Sequence, residues 1–172
     1  MQGLYCLIQK IIKKEFEKRK TKPKTYKEII SLPGKLKNNL PTSYDVIGDI
    51  ILIKISRDLA KYKEEIRKAL LISNKNIKTI CLSEPVTGEF RTRNITVIAG
   101  EKRTTTIHKE YDLSFEVDVK NTYFSPRLAT ERKRVASLVK PDEVVIDMFA
   151  GVAPFSIMIA KYAHPKIIYA ID

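Results

Sequence analysis

Cys6 and Cys81 are the only cysteines in 172 residues. Two are too few for a disulfide framework, which leaves a reducing compartment as the default. No apolar run approaches the roughly 18 residues that a membrane-spanning helix needs, so no membrane partner is expected. The N-terminus, MQGLYCLIQKIIKKEF, sets a short apolar stretch ahead of its lysines. A secretory signal has the opposite order, with a small-residue cleavage site behind it. No internal repeat is visible. Also missing is the G-x-G-x-x-G fingerprint of dinucleotide-binding turns: Gly151 stands alone, with Ala153 where a second glycine would fall. That speaks against a nicotinamide cofactor held through its pyrophosphate. A soluble, cytoplasmic protein is expected.

What the chain does have is positive charge. Lys and Arg number 32 against 20 Asp and Glu, a net charge of +12. Such an excess favours a polyanionic partner, bound with release of counterions from its phosphates. A lysine-rich surface with no partner would give the same count. The charge is uneven: residues 1–40 hold eleven Lys and Arg against three Glu, or +8 of the total. Residues 1–43 are therefore read as a basic N-terminal helix and linker broken by Pro23, more a tether than a binding arm.

Residues 44–122 read as a small α/β domain. YDVIGDIILIKI is rich in β-branched residues and predicts one or two strands bent at Gly48-Asp49. Ser56 is placed to cap a helix in which Leu59, Tyr62, Ile66 and Leu70 recur at helical spacing. IKTICL reads as a short strand, and SEPVTGEFRTRNITVIAG as a loop entering another. In SFEVDVK, Phe115, Val117 and Val119 alternate with acidic residues, the mark of a half-buried strand. His108 is most simply structural.

Residues 123–172 change character. Ser125-Pro126 predicts a helix start with serine as cap and proline at the first helical position, running to about Leu138 and stopped by Pro141. EVVIDMF reads as a buried strand, PFSIMIAKYA as a helix and KIIYAID as a second buried strand. That βαβ unit predicts two parallel strands. Between the first strand and the helix, DMFAGVAPF offers a glycine where a ligand can approach the backbone, ahead of free N–H groups at a helix N-terminus. Asp172, at the end of the next strand, sits where such folds hydrogen-bond a ribose diol. S-adenosylmethionine, which carries no phosphate, needs less of a cradle than a dinucleotide. An ordinary tight turn would explain the single glycine equally well.

DMFAGVAPFS followed by YAID is similar to the first cofactor-binding motifs of class I S-adenosylmethionine-dependent methyltransferases. TGEFRTR, GEKRTTTIHKE and above all NTYFSPRLATER resemble the archaeal and eukaryotic tRNA guanine-N1-methyltransferase family, which methylates the guanosine immediately 3′ of the anticodon. The similarity covers roughly Tyr44 to Asp172. It implies a small α+β domain that meets the RNA, followed by the first βαβ unit of a Rossmann-like methyltransferase domain. It also implies S-adenosylmethionine as cofactor and tRNA, not DNA, as partner. Glu131 matches the general base for the guanine N1 proton, and Arg91 the arginine that stabilises charge on O6. Tyr123, Arg127 and Arg132 match residues near the target nucleotide and its phosphates. Asp147, Phe149, Gly151 and Asp172 would line the cofactor site.

The chemistry suits those residue types. Taking the N1 proton sends negative charge to O6, so a carboxylate at one atom and a guanidinium at the other are what the transfer needs. Arg127 and Glu131 are four apart, hence on one face if both are helical. Arg91 and Arg93 share a face if residues 90–98 are a strand. A solvated charge or a surface ion pair, including one between Glu131 and Arg127, is the plainer reading of each residue taken alone. A complete methyltransferase sheet has more strands than two. A further segment or second chain is therefore expected to cover the sheet, and the chain by itself to be inactive. Two other readings stay open: a wybutosine-pathway aminocarboxypropyltransferase acting on tRNA, and a tRNA-binding module without catalysis.

Overall fold

The run Ile50–Ile53 sends Ile51 and Ile53 to one side of a sheet and Ile50 and Leu52 to the other, and all four are buried. This follows from the two-residue period of a strand. The computed structural model describes residues 25–84 and 94–172. In it, β1 (Asp45–Ile47) and β2 (Ile50–Ile53) form an antiparallel hairpin, with Gly48 at φ +55° in the turn. A Cβ at Gly48 would run into the Thr106 hydroxyl and the Ile107 carbonyl, so the glycine is needed for space as well as for its dihedral. β2 pairs in parallel with β3 (Thr79–Ser83), which pairs antiparallel with β4 (Ile95–Gly100), giving the order β1-β2-β3-β4.

The crossover from β2 to β3 starts with a 3₁₀ turn, Arg57–Tyr62, and continues as helix Lys63–Ser73. Ser56 makes no side-chain cap bond there, so the expected capped helix begins instead as a tighter 3₁₀ turn. Leu59, Ile66 and Leu70, picked out by their spacing, are fully buried beneath it with Ile51, Ile53 and Ile80. Two short helices precede the sheet: α1 (Tyr26–Ile29) and α2 (Gly34–Asn38), so Lys63–Ser73 is α3. Tyr26, Ile30 and Leu40 join the same core, although they belong to the stretch expected to be a linker. Helices of four and five residues, separated by Pro33, are too short to show a periodicity. The basic helix expected before Thr25 lies outside the described residues.

The opposite face of the sheet is covered by a second hairpin, β5 (Thr105–Glu110) and β6 (Leu113–Asp118), turning through Tyr111 and Asp112 at φ +45° and +56°. Phe115, Val117 and Val119 pack there on Ile47, Ile50, Leu52, Cys81 and Ile95, as their alternation predicts. Fully burying one such side chain contributes about 1.5–3 kcal/mol.

The chain then enters a 3₁₀ turn, Pro126–Leu128, and α4 (Ala129–Leu138). β7 (Val144–Asp147), α5 (Pro154–Ala163) and β8 (Ile167–Ala170) follow, with β7 and β8 parallel. α4 packs on α5 around Ala136, Met158, Ile159 and Ala163, with Val145 and Ile168 turned inward. The expectation of two buried strands is met on this side only. Val144, Ile146, Ile167 and Tyr169 point away from the helices and are exposed. Among the described residues nothing covers that face. The mixed α/β architecture is the one expected.

Candidate active site

Two backbone hydrogen bonds continue the β7–β8 pairing past its last ladder residues. Ile171 N donates to Asp147 O at 2.8 Å and Ala150 N to Ile171 O at 3.0 Å. They draw the Gly151 turn beside Asp172. Gly151 has φ +55°, and the place its Cβ would occupy is open, with the Tyr123 carbonyl 3.9 Å away. Ala153 precedes α5 in the left-handed region, φ +55°. The Ser156 hydroxyl donates to Asp147 Oδ2 at 2.7 Å, which ties the first turn of α5 to the end of β7.

Beside this turn lies a cleft of about 380 Å³ lined on one side by Asn121–Ser125, Leu128 and Arg132 and on the other by Phe149–Gly151, Pro154, Phe155 and Asp172. It brings together five of the residues singled out from sequence: Tyr123, Arg132, Phe149, Gly151 and Asp172. Phe149 is 87% exposed. Open backbone at a glycine, aromatic walls and a carboxylate at the strand end fit a nucleoside with a small charged tail. Asp147 does not line the cleft; its carboxylate is engaged by Ser156.

Arg127 is on the far side of Tyr123, at a neighbouring cleft of about 490 Å³ that also holds Tyr44, Asp45, Lys54 and Ser125. Its Nε donates to Asp45 Oδ1 at 2.7 Å. Glu131 does not line either cleft. It accepts two hydrogen bonds from Arg134, at 2.6 and 2.8 Å, and these hold its carboxyl below the ordinary glutamate range. The ion pair between Arg127 and Glu131, the plainer reading of either residue taken alone, is therefore not formed. Arg127 sits in the 3₁₀ turn, off the helical register on which the four-residue spacing relied, and Ser125 makes no side-chain cap bond. Arg91 and Arg93 lie outside the described residues.

Arg132 is 1% exposed. Its Nε and Nη2 donate to the two oxygens of Glu110, each at 2.6 Å, and Nη1 to the Ser125 carbonyl at 3.2 Å. Its guanidinium is thus engaged within the protein and is not presented to a phosphate. Glu110 was missed in the sequence. The signal for it is that Thr106, His108 and Glu110 share a face once TTTIHKE is read as a strand. His108 Nδ1 accepts a hydrogen bond from Gly48 N at 3.1 Å, and Nε2 is 3.6 Å from Glu110. Burial pushes the His108 pKa down, with Glu110 opposing and Arg132 adding to the shift.

Residues 106–172 match the TRM5/TYW2 methyltransferase domain, and residues 26–104 the TYW2 N-terminal domain. A tRNA (guanine(37)-N(1))-methyltransferase Trm5b from Pyrococcus abyssi is 44% identical over 163 residues, 94% of this chain and 49% of that protein. The crystal structure of Trm5b from that organism superposes with a TM-score of 0.80, covering 92% of this chain and 48% of that one. An aTrm5 in complex with tRNALeu gives 0.74 at 41% identity, over 95% and 50%. Pyrococcus horikoshii supplies a tRNA(Phe) (4-demethylwyosine(37)-C(7)) aminocarboxypropyltransferase, 36% identical over 83% of this chain and 51% of its own length. A P. horikoshii TYW2 structure in complex with MeSAdo gives a TM-score of 0.65 at 33% identity, over 86% and 52%. The chain spans about half the length of the curated relatives it matches.

Proposed function

Because the chain belongs to the TRM5/TYW2 methyltransferase family, we propose that it serves the S-adenosylmethionine-dependent methylation of tRNA at N1 of the guanosine 3′ of the anticodon. The cleft beside Gly151 is the observation that carries this reading, taken with the resemblance to Trm5b along almost the whole chain. S-adenosylmethionine, when bound, supplies an electrophilic methyl group. Gly151, Phe149 and Asp172 would hold it: the glycine by letting it approach the backbone, the ring by its apolar face, and the carboxylate by accepting from ribose hydroxyls. Asp147 acts one step removed, by fixing the turn through Ser156.

Tyr123 lies between the two clefts and offers the target base a stacking surface. Arg127 meets the RNA phosphates, exchanging Asp45 for them. Glu131 accepts the N1 proton, and since it lines neither cleft it must for that both release Arg134, whose two hydrogen bonds keep it a weak base, and turn towards the base. Arg91 supports the charge on O6. The exposed face of β7 and β8 suits a second layer of helices, while further strands of a methyltransferase sheet would pair along its edges.

A second reading rests on the TYW2 N-terminal domain match and the aminocarboxypropyltransferase relative. Incubating the protein, completed by the rest of a methyltransferase domain, with tRNA and labelled S-adenosylmethionine, then analysing nucleosides by mass spectrometry, separates the two. N1-methylguanosine is expected, and Glu131→Ala should lower its rate more than it lowers tRNA affinity. An aminocarboxypropyl adduct would transfer the assignment to the second reading. Binding with neither product would make the chain a tRNA-binding module.

A further inference from the structure

A buried ion pair is a weak source of stability. Desolvation offsets most of the attraction, and apolar residues of similar size often serve as well or better. Glu110 and Arg132 nevertheless meet with side chains 6% and 1% exposed and two hydrogen bonds of 2.6 Å. What the pair touches gives a reason. Arg132 Nη1 holds the Ser125 carbonyl at 3.2 Å, and the guanidinium lies 4.9 Å from the Phe124 ring centroid. Phe124 and Ser125 follow directly on Tyr123 in the wall of the cleft. On the other side, Glu110 ends β5, two residues beyond His108, which grips the Gly48 turn. A chain of contacts therefore runs from the four-stranded sheet to the cleft wall.

We propose that Glu110 and Arg132 form a positioning pair that fixes the Asn121–Ser125 wall, and with it Tyr123, against the nucleoside to be modified. This rests on the function proposed above. Arg132 then touches no nucleic acid. A direct phosphate contact makes a different prediction, since losing one weakens RNA binding and lowers its salt slope by about 1.

The test uses the chain completed by the rest of a methyltransferase domain and compares the wild type with the double variant Glu110→Leu/Arg132→Met, which removes both charges and keeps the volume apolar. Expected are an unchanged melting temperature, unchanged tRNA affinity and salt slope, a kcat for methyl transfer lower by ~10–100-fold, and faster deuterium exchange across residues 121–126. Full turnover in the folded double variant, a reduced salt slope, or unchanged exchange would overturn the proposal. Should the double variant fail to fold, Arg132→Lys keeps the charge and loses the paired geometry. A fall in its kcat at constant KM supports positioning, and a rise in KM alone refutes it. If the wild type makes no methylated tRNA, the functional reading fails, while the exchange comparison still decides whether the pair orders the wall.

Discussion

Ala153 adopts φ +55° and ψ +40° at the start of α5, a region that costs a residue with a Cβ about 1 kcal/mol or more. Ala153→Gly should therefore stabilise the fold by about 0.5–1 kcal/mol, the gain trimmed by the freer unfolded chain. Urea unfolding measures it, and a loss of stability would show that the methyl makes a useful contact. His108 gives a pH prediction. Its folded pKa lies below the ordinary value of about 6.5 because burial disfavours the charged ring. The unfolded chain therefore takes up more protons as pH falls through that value. His108 contributes stability that is complete above about pH 6.5 and lost as pH falls towards the folded value. Protonation also places a hydrogen on Nδ1, which accepts from Gly48 N. The charged groups facing the ring, Glu110 and Arg132, oppose each other. Denaturation midpoints between pH 5 and 7.5 should slope downward on acidification, and His108→Gln should flatten that part of the slope.

Long elements with a plain period were legible in the sequence: β6 from its alternation, α3 and the 3₁₀ turn that leads into it from Leu59, Ile66 and Leu70, and the whole βαβ unit from its apolar runs. The site was legible only in part. Tyr123, Phe149, Gly151 and Asp172 line one cleft; the strand-turn-helix pattern pointed to Gly151 and Asp172, whereas Tyr123 and Phe149 came only from the family resemblance. Arg127 and Glu131 took other partners because the helix opened with a 3₁₀ turn, which no residue between Ser125 and Leu128 announces. β5 went unread because Thr105–Glu110 mixes polar residues on both faces, and its buried acid has meaning only with an arginine 22 positions on. The β7–β8 pair makes its own prediction. Ile146 is exposed in the middle of β7, so Ile146→Lys should reduce concentration-dependent association of this chain without lowering its stability. Sedimentation velocity across a concentration series would detect it, and unchanged association would place the sticky surface elsewhere.

The whole molecule carries a net charge of +12. Binding to tRNA should weaken steeply with salt, as each phosphate contact releases condensed counterions. An affinity measured at a series of potassium chloride concentrations should fall along a straight line on logarithmic axes. A level response would remove the electrostatic basis of the proposed partnership.

The second hairpin belongs to two neighbours at once. Its strands seal the sheet through Phe115 and Val117, while the carbonyls of Tyr111 and Asp112 at its tip accept from Tyr162 and Lys161 of α5. The two family matches divide at residue 105, just where this hairpin begins. Scissors applied there would leave the first portion with Ile47, Ile50, Leu52 and Ile95 bared to water. Swapping either portion between relatives as a free-standing cassette should therefore yield insoluble protein unless residues 105–118 travel with the earlier part.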